Sequence, residues 1–164
     1  MLQAGIIGGA GYTAGELIRL LMYHSKVEIN FIYSTSNAGN KVNAIHQDLV
    51  GSTDKVFTTK INQEVVVLCL CLGHGNSTTF LEKNSFSEKT KIIDLSNDFR
   101  LESDKIFDKK EFVYGLPELQ KEAIKKANYI ANPGCFATAI QLALLPLAVS
   151  ELITNDIHIN AVTG

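Results

Sequence analysis

A chain of 164 residues with a formal charge of -2, 46% hydrophobic and 20% charged, has the makeup of one globular domain with little left for a second. The near-neutral charge and the lack of a long basic run take nucleic acid and anionic membranes off the list of expected partners, leaving small molecules and further copies of the chain. No basic segment precedes an apolar core at the N-terminus, the apolar run 136–149 is interrupted by Thr138, Gln141 and Pro146, and Cys69, Cys71 and Cys135 form no disulfide framework, so a reducing cytoplasm is the expected location.

Residues 2–7 predict a short buried strand, and 12–24 a helix with apolar positions at Leu17, Ile18, Leu20, Leu21 and Met22. Between them lies Gly8-Gly9-Ala10-Gly11-Tyr12-Thr13-Ala14-Gly15, and a second strand over 27–33 completes a β-α-β unit. In that context a glycine-rich loop binds a dinucleotide. Gly8 and Gly11 let the backbone turn tightly and approach a pyrophosphate, whose charge meets the helix start at Tyr12, Thr13 and Ala14. A tight turn without a ligand is the competing reading.

The second strand ends in Ser34-Thr35-Ser36 with no carboxylate for a ribose 2′-hydroxyl. Hydroxyls suit a 2′-phosphate and favour NADP over NAD, although no arginine stands nearby and a plain polar loop is the alternative. Residues 40–60 read as loop. His46 and Asp48 have no companions with metal-ligand spacing, and no metal is expected.

Residues 65–72 are nearly unbroken apolar, as in a central parallel strand covered on both faces. The turn after it brings His74 and Gly75 to the end of the sheet where such folds bind ligands, so both are expected at the cofactor site. A loop histidine without a chemical role is an equal reading of His74. A strand over 91–95 leads into Ser96-Asn97-Asp98-Phe99-Arg100, where the planar fork of Arg100 could grip a phosphate or carboxylate. Most arginines are solvated or structural, which is the competing reading here.

Residues 102–110 are charged and expected at the surface, 113–119 form a turn with Pro117 near the start of a helix to about Lys126, and 129–131 form a brief strand. That strand delivers Asn132-Pro133-Gly134-Cys135. Pro133 pushes Asn132 towards extended backbone, Gly134 permits a positive φ, and the apolar run 136–149 predicts a buried helix. Cys135 then sits in the first helical turn, where unpaired amides favour the thiolate nucleophile over an inert packed thiol.

Ile157, Ile159 and Ala161 alternate with His158 and Asn160, which predicts a strand over 156–162. The resulting fold is α/β: a Rossmann-type, doubly wound, mostly parallel sheet over residues 1–150. Residues 151–164 are expected to be the first strand of a truncated α+β domain for substrate binding or dimerisation.

Four segments in order, GGAGYTAGEL at 8–17, DLSNDFRL at 94–101, YGLPEL at 114–119 and NPGCFATA at 132–139, resemble the N-acetyl-gamma-glutamyl-phosphate reductases of the aspartate-semialdehyde dehydrogenase-like superfamily. The resemblance implies NADPH-dependent reduction of an acyl phosphate to an aldehyde in arginine biosynthesis, by a cytoplasmic, two-domain homo-oligomer. Cys135 would attack the acyl phosphate to give a thioester, helix amides and Asn132 would stabilise the oxyanion, and Arg100 would hold the substrate. Ala137, Gly73 and Thr35 depart from residues common in that family. The family's general acid and base, a histidine of the second domain, matches none of His24, His46, His74 and His158, so this chain is expected to be an inactive N-terminal portion. Reduction of another acyl phosphate, such as aspartyl phosphate, and a non-catalytic dinucleotide-binding module are the alternatives. A cysteine hydrolase ranks last because it leaves the glycine loop unexplained.

Overall fold

Strands β1 (Leu2–Ile7) and β2 (Val27–Tyr33) lie parallel, joined by helix α1 (Tyr12–Met22), in the computed structural model, which describes residues 1–162. Past β2 come α2 (Val42–Ile45) and a single 3-10 turn at Gln47–Leu49. Next are β3 (Val67–Leu70), α3 (Asn76–Lys83) and β4 (Lys91–Asp94). A hairpin of β5 (Ile106–Phe107) and β6 (Lys110–Glu111) precedes β7 (Val113–Tyr114), α4 (Pro117–Lys126), β8 (Tyr129–Ala131) and α5 (Cys135–Val149). The main sheet has the order β2-β1-β3-β4-β8-β7, with every pairing parallel.

The alternation of side chains along β1 feeds two cores. Ile6 joins Ala14, Ile18, Ile32, Leu49 and Phe57 on the α1 face, while Ile7 joins Leu68, Leu70, Phe99 and Phe112 on the other. Burial on both faces accounts for the unbroken apolar character of β3. Because every pairing is parallel, the loops that follow β1, β2, β3, β4 and β8 all leave from the carboxyl edge of the sheet. That edge carries the chemistry.

Several expectations need correction. Residues 156–162 form no strand: Ile157 and Ile159 are about half exposed, and among the described residues no neighbouring strand supplies the ladder that alternation alone cannot create. Residues 163 and 164, the end of the expected second unit, lie outside the described residues. Helix α5 forms, but none of its residues is buried, since Phe136, Leu142 and Leu147 are each at least 40% exposed. Its apolar composition predicts burial that the described residues do not supply. Gly134 has φ -71° and serves as the extended N-cap of α5, so the positive φ is not used. The charged stretch 102–110 holds the β5–β6 hairpin, whose Asp108 and Lys109 adopt positive φ without the Asn-Gly signature of such turns. Two-residue β7 hides within the expected turn at 113–119.

Candidate functional site

The glycine loop is built by close contacts. Gly8 has φ +78°, and a Cβ there would lie 2.4 Å from the Cys71 carbonyl oxygen. At Gly9 a Cβ would meet Ile32 Cγ2 at 2.2 Å. The Gly9 amide donates to the Tyr33 carbonyl at 2.8 Å, and that of Gly11 to the Gly8 carbonyl at 3.0 Å, which folds the loop against the end of β2. Gly11 then N-caps α1 with no side-chain cap and no acidic residue in the first turn.

The amides of Ala10, Tyr12, Thr13 and Ala14 find no acceptor among the described residues. Gly11, Tyr12 and Thr13 are exposed, whereas the Ala14 side chain is buried in the core, so it contributes through its backbone alone. An open helix start with free donors fits the pyrophosphate of a dinucleotide. At the end of β2, Thr35 and Ser36 are exposed. Ser34 is buried against Ser36, with their hydroxyl oxygens 3.5 Å apart, and so is not an exposed hydroxyl like its two successors.

His74 and Gly75, at the end of β3, are exposed and line an open cleft of about 660 Å³ with Thr78, Asp98, Arg100 and Leu101. The Asn97 amide donates to His74 Nδ1 at 3.1 Å, so the neutral ring carries its proton on Nε2. A second cleft, about 400 Å³, lies towards the amino ends of β4 and β8 beside Phe86, Phe107 and Tyr129, away from the glycine loop and Cys135.

Beneath the first cleft runs a polar network that sequence reading did not find. Buried Asp94, the last residue of β4, accepts from the hydroxyls of Ser77 and Ser96. Asp98 accepts from the amides of Gly75 at 2.6 Å and Thr78 at 3.0 Å, and so caps α3 from the next crossover loop. Burial lifts the Asp94 carboxyl above the ordinary range against the pull of its serine partners. For Asp98 burial also favours the neutral acid but is outweighed by the Thr78 and Gly75 amides and by Ser96, which hold its carboxyl below that range. A cap supplied from twenty positions away leaves no local sequence signal.

Arg100 lies between this network and the cysteine loop. Its Nε donates to the Asn132 carbonyl and its Nη2 to the Leu95 carbonyl, both at 2.8 Å. The remaining Nη1 lies beside Gly134, where a Cβ would approach it to 3.0 Å. Asn132 in turn donates its amide to the Asp94 carbonyl at 2.8 Å, and its side-chain Nδ2 donates to the Pro133 carbonyl at 3.1 Å. The Asn132 side chain is thus engaged within its own loop.

Cys135 is the first residue of α5 and is exposed, with no side-chain hydrogen-bond partner among the described residues. The other two thiols are different. Burial pushes Cys69 up to about 12, and burial together with the charges of Cys69 and Asp94 pushes Cys71 up as well. His24 Nδ1 accepts the Lys26 amide and His46 Nε2 bonds the Gly9 carbonyl, so no histidine pairs with Cys135 in the described structure. Among the described residues no three metal-ligating side chains cluster, and no helix is long and apolar enough to cross a membrane.

Residues 3–127 match the family model described as semialdehyde dehydrogenase, NAD binding domain. The chain is 64% identical over its whole length to N-acetyl-gamma-glutamyl-phosphate reductase of Flavobacterium johnsoniae and 62% identical to that of Christiangramia forsetii. It spans about half the length of these curated relatives, 50% of each. Among solved structures, aspartate semialdehyde dehydrogenase with NADP from Candida albicans shares the fold at a TM-score of 0.67 and 20% identity, over 93% of this chain and 48% of that one.

Proposed function

Because the chain belongs to the family of semialdehyde dehydrogenase NAD-binding domains, we propose that the protein carrying it reduces N-acetyl-gamma-glutamyl phosphate to the semialdehyde with NADPH, as a step of arginine biosynthesis. The observation that carries this reading is convergence. The glycine loop after β1, His74 after β3, Arg100 after β4 and Cys135 after β8 all stand at one edge of one parallel sheet.

Gly8, Gly11 and the amides of Tyr12, Thr13 and Ala14 would hold the pyrophosphate, Thr35 and Ser36 the 2′-phosphate, and His74 with Gly75 the far wall of the cofactor site. When bound, the nicotinamide supplies the hydride. Cys135 Sγ attacks the acyl carbonyl, the C–O bond to phosphate breaks as phosphate departs, and an acyl thioester remains on the sulfur. The free amides of the first turn of α5 stabilise the oxyanion. Arg100 braces the loop through Nε and Nη2, and Nη1 is the part of its fork left for a substrate oxyanion. The buried Cys69 and the half-buried Cys71 take no part. The whole protein is read as a cytoplasmic homo-oligomer acting on a small molecule.

The unpaired state of Cys135 favours a second reading for the 164 residues by themselves: a dinucleotide-binding unit that binds without turning over. Both readings are tested together. The full-length protein should reduce NADP when given N-acetylglutamate semialdehyde and phosphate, followed by nicotinamide absorbance, and the 164-residue chain should bind NADPH in calorimetry without turnover. Faster turnover of aspartate semialdehyde by the full-length protein would overturn the substrate assignment.

A further inference from the structure

His46, which with Asp48 has no further metal ligands near it in sequence, is one of the buried polar residues among those described, 8% exposed. Its Nε2 lies 2.8 Å from the Gly9 carbonyl oxygen. A carbonyl only accepts, so Nε2 carries the proton and donates it. The other side of the ring rests on Gly15, at the end of the first turn of α1, where a Cβ would come within 2.5 Å of Nδ1 and 2.8 Å of Cε1. Phe57 closes the pocket at a ring-centroid separation of 6.2 Å.

Gly9 is consequently held at both of its polar groups, its amide by the Tyr33 carbonyl and its carbonyl by His46. In a planar trans peptide the C=O and the next N–H point to opposite sides. Fixing the Gly9 oxygen therefore fixes the direction of the Ala10 N–H, which has no acceptor among the described residues. We propose that His46 is a positioning residue for dinucleotide binding: from its seat on Gly15 it locks the Gly9–Ala10 peptide so that the Ala10 amide is presented to the cofactor pyrophosphate. The proposal rests on the dinucleotide reading of the loop and deepens it.

Calorimetric titration of the 164-residue chain with NADPH, paired with amide hydrogen exchange, separates the two. His46→Ala should weaken NADPH about tenfold, the equivalent of one charge-assisted hydrogen bond, and should speed exchange over residues 8–14 alone. His46→Gln, whose side-chain amide can donate to the same carbonyl, should recover binding to within about threefold of the unaltered chain. Gly15→Ala keeps the imidazole and removes its seat, so it should reproduce the loss even if His46→Ala does not fold.

NADPH affinity unchanged within about twofold in both His46→Ala and Gly15→Ala would overturn the proposal, as would equal losses in the Ala and Gln variants with exchange accelerated throughout β1 and β2. Failure of the unaltered chain to bind NADPH would instead remove the dinucleotide reading itself, and the role of His46 with it.

Discussion

Arg100 and Asn132, thirty-two positions apart, are joined by a 2.8 Å hydrogen bond from the guanidinium Nε to the backbone carbonyl. With the second bond from Nη2 to Leu95, this makes Arg100 the brace between the loop after β4 and the loop that carries Cys135. Arg100→Lys keeps the charge but cannot span two carbonyls with a planar fork. It should lower stability by about 1–2 kcal/mol, since charge-assisted bonds to half-buried carbonyls are lost. Urea unfolding measures this. A midpoint shared by the Lys variant and the unaltered chain would show that the brace carries no stability.

Exposure separates the three thiols. In the folded chain iodoacetamide should alkylate Cys135 alone, because Cys69 is buried, Cys71 is half-buried and desolvation holds both of their thiols protonated. Intact mass before and after treatment should show a single adduct, absent in Cys135→Ser. The same substitution in the full-length protein should abolish turnover while leaving NADPH binding within about twofold. Retained turnover would exclude the thioester.

How much of this could be read in advance follows from which interactions are local. The β-α-β unit, the glycine loop and the position of Cys135 at a helix start depend on neighbours in sequence, and the chain states them directly. The Asp98 cap on α3, the Arg100 brace and the seat of His46 on Gly15 each join residues from different crossovers, so no spacing announces them. The exposure of α5 was missed for the opposite reason. Apolar composition records that a face is to be covered, not what covers it.

Two glycines with nearly the same φ make a comparison. Gly8 at φ +78° and Gly39 at φ +85° would each strain an L-residue, but a Cβ meets nothing within 4 Å at Gly39 and the Cys71 carbonyl at 2.4 Å at Gly8. Gly39→Ala should cost about 1 kcal/mol from the left-handed backbone alone. Gly8→Ala adds a clash with immovable backbone between β1 and β3, and its cost should reach about 3 kcal/mol or more, with loss of NADPH binding. Thermal unfolding of both variants decides it. Equal costs would mean that the loop can yield at Cys71.

The last prediction concerns pH. The amides of Gly75 and Thr78 hold Asp98 ionised, so its folded carboxyl titrates below the unfolded one, near 3.9. A depressed acid contributes stability that is present above the unfolded value and is lost as the pH falls through the folded one. Asp98→Asn should therefore be less stable than the unaltered chain by about 1 kcal/mol at neutral pH, the usual worth of a helix cap. That gap should hold down to about pH 4 and close below it as the native carboxyl takes up its proton. Asp94 works in the other direction, because burial raises its carboxyl and its protonation favours the folded state as the pH drops. Both chains retain Asp94, so the difference between them isolates Asp98 to the extent that the two carboxylates do not repel each other. Urea midpoints taken across the acid range provide the measurement, and a gap that stays constant from neutral pH to about pH 2 would show that the charge on Asp98 plays no part in holding α3.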